Sequence, residues 1–228
     1  MFNLLDILFP KTCFSCGDWG EYLCTDCLNK IKEKRERICP VCCRPAIYGI
    51  THPVCRRKYT LDGLTTVFSY TGLVKRIIKK LKFNFVFDVN KLLSELLITS
   101  LGEDQQFTRI CRQSPGLVPV PLHSSRERWR GFNQAELLGK EIAQSLGINF
   151  NPKLLIRIKN TNVQSLLSKA ERQKNIKEAF IVNPKCLIHN PRFILFDDVW
   201  TSGSTLREAG KVLKKGGAKF VWGLTLAS

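Results

Sequence analysis

The run Phe193-Ile194-Leu195-Phe196-Asp197-Asp198-Val199-Trp200-Thr201-Ser202-Gly203-Ser204-Thr205 constrains this chain more than any other stretch. Four consecutive apolar residues predict a fully buried strand. Two adjacent carboxylates follow it, then a small loop of Thr, Ser and Gly, then a helical pattern. In open α/β sheets, ligands sit beyond the carboxyl ends of the strands. A loop of hydroxyl residues and glycine that opens a helix offers N–H groups and hydroxyls to a phosphate. A carboxylate pair repels phosphate, but it accepts hydrogen bonds from two vicinal ribose hydroxyls or holds a divalent cation. Strand, acid pair and loop together predict a sugar-phosphate site.

The 228 residues have room for one ordinary domain and a small second one. The net charge of +17 predicts attraction to phosphates, whether in nucleic acid, anionic lipid or a polyphosphate substrate. A solvated basic face without a partner is the plain alternative. Ten cysteines raise the prospect of a secreted disulfide framework. Residues 1–10 argue against it, being apolar but short, without a basic start, and ending in Pro10. They predict a helical turn or two docked on the body. No apolar run approaches the ~18 residues of a membrane span. The expected setting is the reducing cytoplasm, where clustered cysteines usually bind metal.

Cys13-x-x-Cys16 and Cys24-x-x-Cys27 form two knuckles that place four thiolates around a tetrahedral, structural zinc ion. A basic linker over residues 30–37 reads as a solvated helix. Cys39 and Cys42 make a third knuckle, whose expected partner is incomplete. Cys55 is followed by Arg56-Arg57-Lys58, with no cysteine at Lys58. Cys39, Cys42 and Cys55 are therefore candidates for a second zinc, with His52 or Cys43 as an improvised fourth ligand. The alternative is a degenerate knuckle held by packing.

The composition changes at Leu61, which divides the chain into a zinc-ribbon region at 1–60 and a larger domain at 61–228. Residues 64–70 read as a strand. Leu73, Ile77, Ile78 and Leu81 recur at helical spacing, opposite Lys75, Arg76, Lys79, Lys80 and Lys82. Residues 89–101 form a second apolar helix, and 102–115 a polar connector. Residues 117–122 read as another buried strand. It leads into a segment with Arg126, Arg128 and Arg130, whose guanidinium forks suit a pyrophosphate. Asn133 is placed to cap a helix over 135–146 that stops at Gly147. The basic stretch 151–180 reads as a mobile hood. Residues 206–215 complete the key strand–loop–helix unit, and 219–226 form a last strand. Lys79, Lys80, Lys82, Arg130, Arg172 and Lys174 are candidate nucleic-acid contacts. Trp129, Phe132 and Trp200 are candidate stacking surfaces for bases.

The key run resembles the motif of type I phosphoribosyltransferases that binds phosphoribosyl pyrophosphate (PRPP). That motif is an apolar run followed by Asp-Asp-x-x-Thr-x-Gly-x-Thr, and every defined position is met. The resemblance implies that Asp197 and Asp198 are catalytic and face the ribose. It implies that Thr201, Ser202, Gly203, Ser204 and Thr205 hold the 5′-phosphate. More widely, the chain resembles the ComF (competence protein F) amidophosphoribosyltransferase-like family. The residues that carry this are the paired knuckles at 13–27, Tyr70-Thr71-Gly72 with the basic helix, and Arg130-Gly131-Phe132-Asn133-Gln134-Ala135. The others are Gln164-Ser165-Leu166-Leu167-Ser168-Lys169-Ala170-Glu171-Arg172 and the PRPP-type loop. It departs from the family at Cys43, where glycine is usual, and at Lys58, where cysteine is usual.

The resemblance implies an α/β fold: a type I phosphoribosyltransferase-like parallel sheet with flanking helices, plus a small N-terminal four-cysteine zinc-ribbon region. It also implies natural transformation: handling of incoming single-stranded DNA at the inner membrane, with a helicase-like partner and peripheral membrane association. Magnesium would accompany PRPP. The alternative is an active phosphoribosyltransferase of nucleotide metabolism or salvage.

Overall fold

The computed structural model describes residues 11–31, 33, 36–83, 87–161, 169–188 and 191–228. The expected docking segment at 1–10 lies outside them. In chain order the elements are α1 (Thr25–Leu28), β1 (Gly63–Phe68), α2 (Gly72–Phe83), α3 (Phe87–Glu103), α4 (Gln105–Cys111) and β2 (Gly116–Pro119). Then come α5 (Ser124–Arg130), α6 (Gln134–Ser145), β3 (Asn149–Phe150), β4 (Leu155–Arg157), α7 (Lys169–Ile176) and β5 (Phe180–Val182). The last three are β6 (Arg192–Val199), α8 (Ser204–Lys215) and β7 (Phe220–Ala227).

Five strands make one parallel sheet in the order β1-β7-β6-β2-β3. The apolar runs form strands because both faces of this sheet are covered. In β6, Ile194 and Phe196 enter one core layer with α2, α3, α4 and α6. Phe193 and Leu195 enter the opposite layer with α8. The architecture is the expected α/β sheet with flanking helices and a cysteine-rich N-terminal region. After β2 the chain runs to β3 on one side, and after β6 it runs to β7 on the other. The carboxyl ends of β2 and β6 therefore flank a topological switch point, where open sheets place their ligands.

Three expectations change. The connector at 102–115 contains α4, capped by Asp104, whose Oδ1 accepts from the Phe107 N–H at 3.0 Å. Phe107 and Ile110 sit in the core, so two buried apolar residues outweigh a polar composition. The linker at 30–37 is not helical among its described residues. Glu33 bridges Phe68 on the edge strand, and Arg37 donates to the Thr66 carbonyl at 2.9 Å and pairs with Asp104 at 2.8 Å. Edge pairing and a half-buried ion pair hold it extended. The stretch 151–180 is not a free hood in its described parts: β4 and β5 pair antiparallel in a two-stranded sheet. Leu154, Leu155, Ile176, Ala179 and Phe180 are buried in the α8-side core layer. Residues 162–168, which carry most of the Gln164–Arg172 motif, lie outside the described set.

Candidate functional site

Asp197 and Asp198 stand at the carboxyl end of β6, both half-buried, with the Asp198 N–H donating to Asp197 Oδ1 at 2.9 Å. Strand pairing fixes them from both sides: Asp197 is opposite Thr225 of β7, and Phe196 is opposite Pro119 of β2.

The loop that follows turns directly into α8. Gly203 is the N-cap residue, with φ of 72°, and it brings no capping side chain. A helix start whose cap position carries no oxygen suits an anion, which can take that oxygen's place. A side chain at Gly203 would fall on the Trp200 ring, so glycine is required for space as well as for its left-handed backbone. Ser202 and Ser204 are buried and their hydroxyls bond at 2.9 Å, while Thr201 is exposed. Trp200 is itself buried, 5% exposed, beneath the Arg207 guanidinium at 5.1 Å. It is a core residue of the loop and not a stacking surface for bases.

The arginines are carried by α5, not by a loop. His123 caps this short helix, its Nδ1 accepting from the Ser125 N–H at 3.3 Å, and left-handed Gly131 ends it. On a helix, alternate residues diverge while residues four apart share a face. Arg126 and Arg130 are therefore half-buried together, whereas Arg128 is exposed to solvent. Burial and Arg126 lower the Arg130 pKa, opposed by Asp198. Asn133 then does two jobs: its Oδ1 accepts from the Ala135 N–H, and its Nδ2 donates to the Val120 carbonyl, both at 3.1 Å. It locks α6 to the segment that follows β2. This accounts for the Gly131-Phe132-Asn133 sequence as a stop, a link and a start.

A further residue joins this group. Arg157 on β4 is only 8% exposed, and its Nη2 donates to the Thr161 hydroxyl while Arg126 Nη2 donates to the Thr161 carbonyl. Among the described residues, Nε of Arg157 and Nε of Arg130 are both buried without a hydrogen-bond partner. Burial lowers the Arg157 pKa to about 10; Arg126 adds to this and Asp197 opposes it. At neutral pH it stays charged. Three guanidiniums thus gather near the acid pair, two of them with a donor that no described residue uses. The sequence holds a signal for Arg157: Ile156 and Ile158 face outward, 37% and 50% exposed, so the alternation buries arginine where an apolar residue belongs.

Among the described residues, two four-ligand sets fit a structural zinc ion. Cys13, Cys16, Cys24 and Cys27 form the first, and Cys39, Cys42, His52 and Cys55 the second, with all donor atoms of each within 4.8 Å of one another. A tetrahedron of Zn–S bonds ~2.3 Å long puts sulfurs about 3.8 Å apart; Cys16 and Cys24 stand 3.6 Å apart. In the second set the partner of Cys55 is not ahead at Lys58 but three residues behind, at His52, which corrects the incomplete knuckle. Nδ1 of His52 lies 3.4 Å from the Cys42 sulfur, and Nε2 lies 3.0 Å from the Pro45 carbonyl. A proton on Nε2, held by that carbonyl, frees Nδ1 for metal. In each set the first cysteine is predisposed to ionise. Burial raises the Cys13 thiol, but N–H groups of Cys16, Cys24 and Ser15 prevail and bring it down to about 6. Cys39 is lowered in the same way. Asp18, 3.0 Å from Cys16, pushes that thiol well up. Burial and the neighbouring Cys42 and Cys39 push Cys55 up to about 11. Zinc binding must displace those protons.

Cys43 occupies the same place in its knuckle as Gly17 in the first: each donates its N–H to the first cysteine's carbonyl, and each has positive φ, 60° and 86°. A left-handed turn of this kind is one that glycine adopts without strain.

The basic helix α2 buries Leu73, Ile77, Ile78 and Leu81 and exposes Lys79 and Lys80. It abuts the first ribbon: Lys80 Nζ lies 4.3 Å from the Phe14 ring, and Arg76 donates to the Ser15 hydroxyl at 3.1 Å. Lys174 is exposed on α7, and the side chains of Lys82 and Arg172 lie outside the described part. Trp129 is 72% exposed beside Arg128. No helix among the described residues is long and apolar enough to cross a membrane.

Residues 4–58 match the double zinc ribbon domain family. Competence protein F of Haemophilus influenzae is 31% identical over 210 residues, which cover 90% of each chain. Competence protein ComFC of Bacillus subtilis is 32% identical over 220 residues, covering 90% of this chain and 84% of its own. DNA utilization protein YhgH of Escherichia coli is 30% identical over 223 residues, covering 93% and 94%. Identity at this level across nine-tenths of the chain, joined to two ribbon-type ligand sets and a parallel-sheet body, makes the chain a member of the competence protein F family.

Proposed function

We propose that this protein binds PRPP at the acid pair and acts on single-stranded DNA during its uptake. The observation that carries the reading is the glycine-capped start of α8 beside Asp197 and Asp198 at the switch point, faced by Arg126, Arg130 and Arg157. The 5′-phosphate takes the N–H groups at the start of α8, the ribose hydroxyls take the two carboxylates, and the pyrophosphate takes the arginines. When bound, magnesium supplies neutralising charge to the pyrophosphate. Breaking the anomeric bond leaves positive charge on the sugar and negative charge on the pyrophosphate. The chain's own residues act on that step by position and electrostatics. The names of the competence and DNA utilization relatives support a role in DNA uptake. The net charge of +17 and the exposed Lys79 and Lys80 support contact with DNA. In this reading a helicase-like partner and the inner face of the cytoplasmic membrane complete the setting.

Calorimetric titration of the zinc-loaded chain with PRPP and magnesium tests the site. Saturable binding is expected, and it should vanish in Asp197→Ala/Asp198→Ala with zinc content unchanged; no binding by the wild type sinks the proposal. For the DNA arm, Lys79→Ala/Lys80→Ala should weaken binding of a single-stranded oligonucleotide. The salt slope should fall by about 0.7 for each phosphate that a lysine no longer neutralises. The second reading, an active phosphoribosyltransferase of nucleotide metabolism or salvage, is favoured by the completeness of the acid pair and the facing arginines. Pyrophosphate release that depends on an added nucleobase or amine would distinguish it.

A further inference from the structure

The loop Thr201–Thr205 enters α8 through a glycine that supplies no capping side chain; within it Ser202 Oγ accepts from the Ser204 N–H at 3.4 Å and bonds the Ser204 hydroxyl at 2.9 Å, and a further clamp comes from outside the turn. Arg207, one turn into α8, folds back and donates through Nη1 to the Ser202 carbonyl at 2.9 Å. Its guanidinium also stacks over Trp200, the ring on which Gly203 rests. The other two bonds leave the sheet domain altogether. Nε donates to the Pro40 carbonyl at 2.5 Å, and Nη2 donates to the Cys43 sulfur at 3.1 Å.

Both acceptors belong to the second zinc knuckle. Pro40 directly follows the ligand Cys39, and Cys43 directly follows the ligand Cys42. Cys43 reaches Arg207 only because the knuckle holds it left-handed, at φ of 60°, where a non-glycine residue is disfavoured by roughly 1 kcal/mol. A short knuckle with little apolar content keeps such a shape by closing on its ion. The two parts also meet where Ile50 bridges Gly63 and the Thr51 N–H donates to the Asp62 carbonyl at 2.9 Å, but beside Arg207 they part. A cleft of about 370 Å³ opens between them, lined by Val41, Tyr59, Ser202, Arg207 and Lys211 among others. Arg207 spans the gap, and its rigid fork meets three acceptors in three directions at once, which no lysine reproduces.

We propose that Arg207 is a positioning residue that ties the phosphate-binding loop to the second zinc centre. Zinc held by Cys39, Cys42, His52 and Cys55 and sugar phosphate held by the loop then stabilise one another, because coupling between two sites is reciprocal. Loss of this zinc releases Pro40 and Cys43, frees the guanidinium and loosens the turn before α8. The identity of the ligand rests on the PRPP reading above; the mechanical link does not.

The test uses the full chain and two separate readouts. One is amide hydrogen exchange of the peptide spanning residues 200–207, measured without ligand. The other is the rate of zinc transfer to a chromogenic chelator, with and without PRPP and magnesium. Cys55→Ser should raise loop exchange on the order of tenfold. Arg207→Ala should do the same while retaining both zinc ions, which guards against a ribbon that simply fails to fold. Arg207→Lys should not restore protection. Arg76→Ala, which cuts the equivalent strut of the first ribbon, should leave loop exchange within about twofold. In the wild type, PRPP should slow the loss of one zinc of two, and Arg207→Ala should abolish that protection. Equal loop exchange in wild type and Arg207→Ala overturns the proposal, as does an equal effect of Arg76→Ala. If PRPP fails to bind the wild type, the ligand reading falls and the exchange arm still decides the link.

Discussion

The two ribbons repeat one ligand pattern, yet the body uses them differently. The first reads Cys-x2-Cys-x7-Cys-x2-Cys and the second Cys-x2-Cys-x9-His-x2-Cys. Cys13, Leu23 and Cys27 of the first join the core layer shared with the basic helix α2. Ile38 and Cys43 of the second pack on the opposite layer, with α8. The first ribbon thus widens a basic face, while the second reaches the turn where a phosphate would sit. A repeated module is given its task by what it touches and not by its metal chemistry, which is nearly the same in both.

The largest expected effect breaks the symmetry between them. Cys16→Ser and Cys55→Ser should each lose one zinc by metal analysis, but only Cys55→Ser should lower PRPP affinity, by about tenfold. Equal losses would mean that both ribbons act by general stabilisation alone. Next comes the side of the site that carries β4. Arg157→Met removes a buried charge that lacks a full set of partners among the described residues, so the thermal midpoint should hold or rise while PRPP affinity falls by roughly tenfold or more. Arg128→Ala, at an exposed position, should change PRPP affinity by no more than about twofold. The smallest effect concerns the knuckle turn. Cys43→Gly should stabilise the second ribbon by up to ~1 kcal/mol in chemical denaturation. It should also raise loop exchange by less than Arg207→Ala does, since two of the three bonds remain.

Much of the site is legible in the sequence because it is local. The strand, acid pair and loop are contiguous, and the first four cysteines sit at regular spacing. The features that escape depend on direction or on distant folding. His52 looks improvised as a ligand because a knuckle opened at Cys55 runs forward to Lys58, whereas the chain completes it backward. Alternation, a strand-like rule, groups Arg126, Arg128 and Arg130, but they lie on a helix that splits Arg128 from the other two. Arg157 shares no motif with Asp197; only the folding of the β4–β5 pair onto the body brings them near. Trp200 beside the loop suggests a stacking surface, but Gly203 and Arg207 enclose it. The link between Arg207 and Cys43 joins positions 164 residues apart, and no spacing rule could express it.

The middle of the sheet also has a history. β1 pairs along its length with β7 and not with β2, the next strand in sequence, and Trp222 Nε1 donates to the Thr65 hydroxyl across 157 residues at 3.1 Å. β7 is the last of the five strands to leave the ribosome, and it must slot between β1 and β6, which have been waiting with unpaired edges. Ribbons that can close on zinc early would then be finished parts attached to an open sheet. For much of its synthesis the nascent chain would be metal-loaded at one end and incomplete at the other, its inner strand edges open until residues 220–227 arrive.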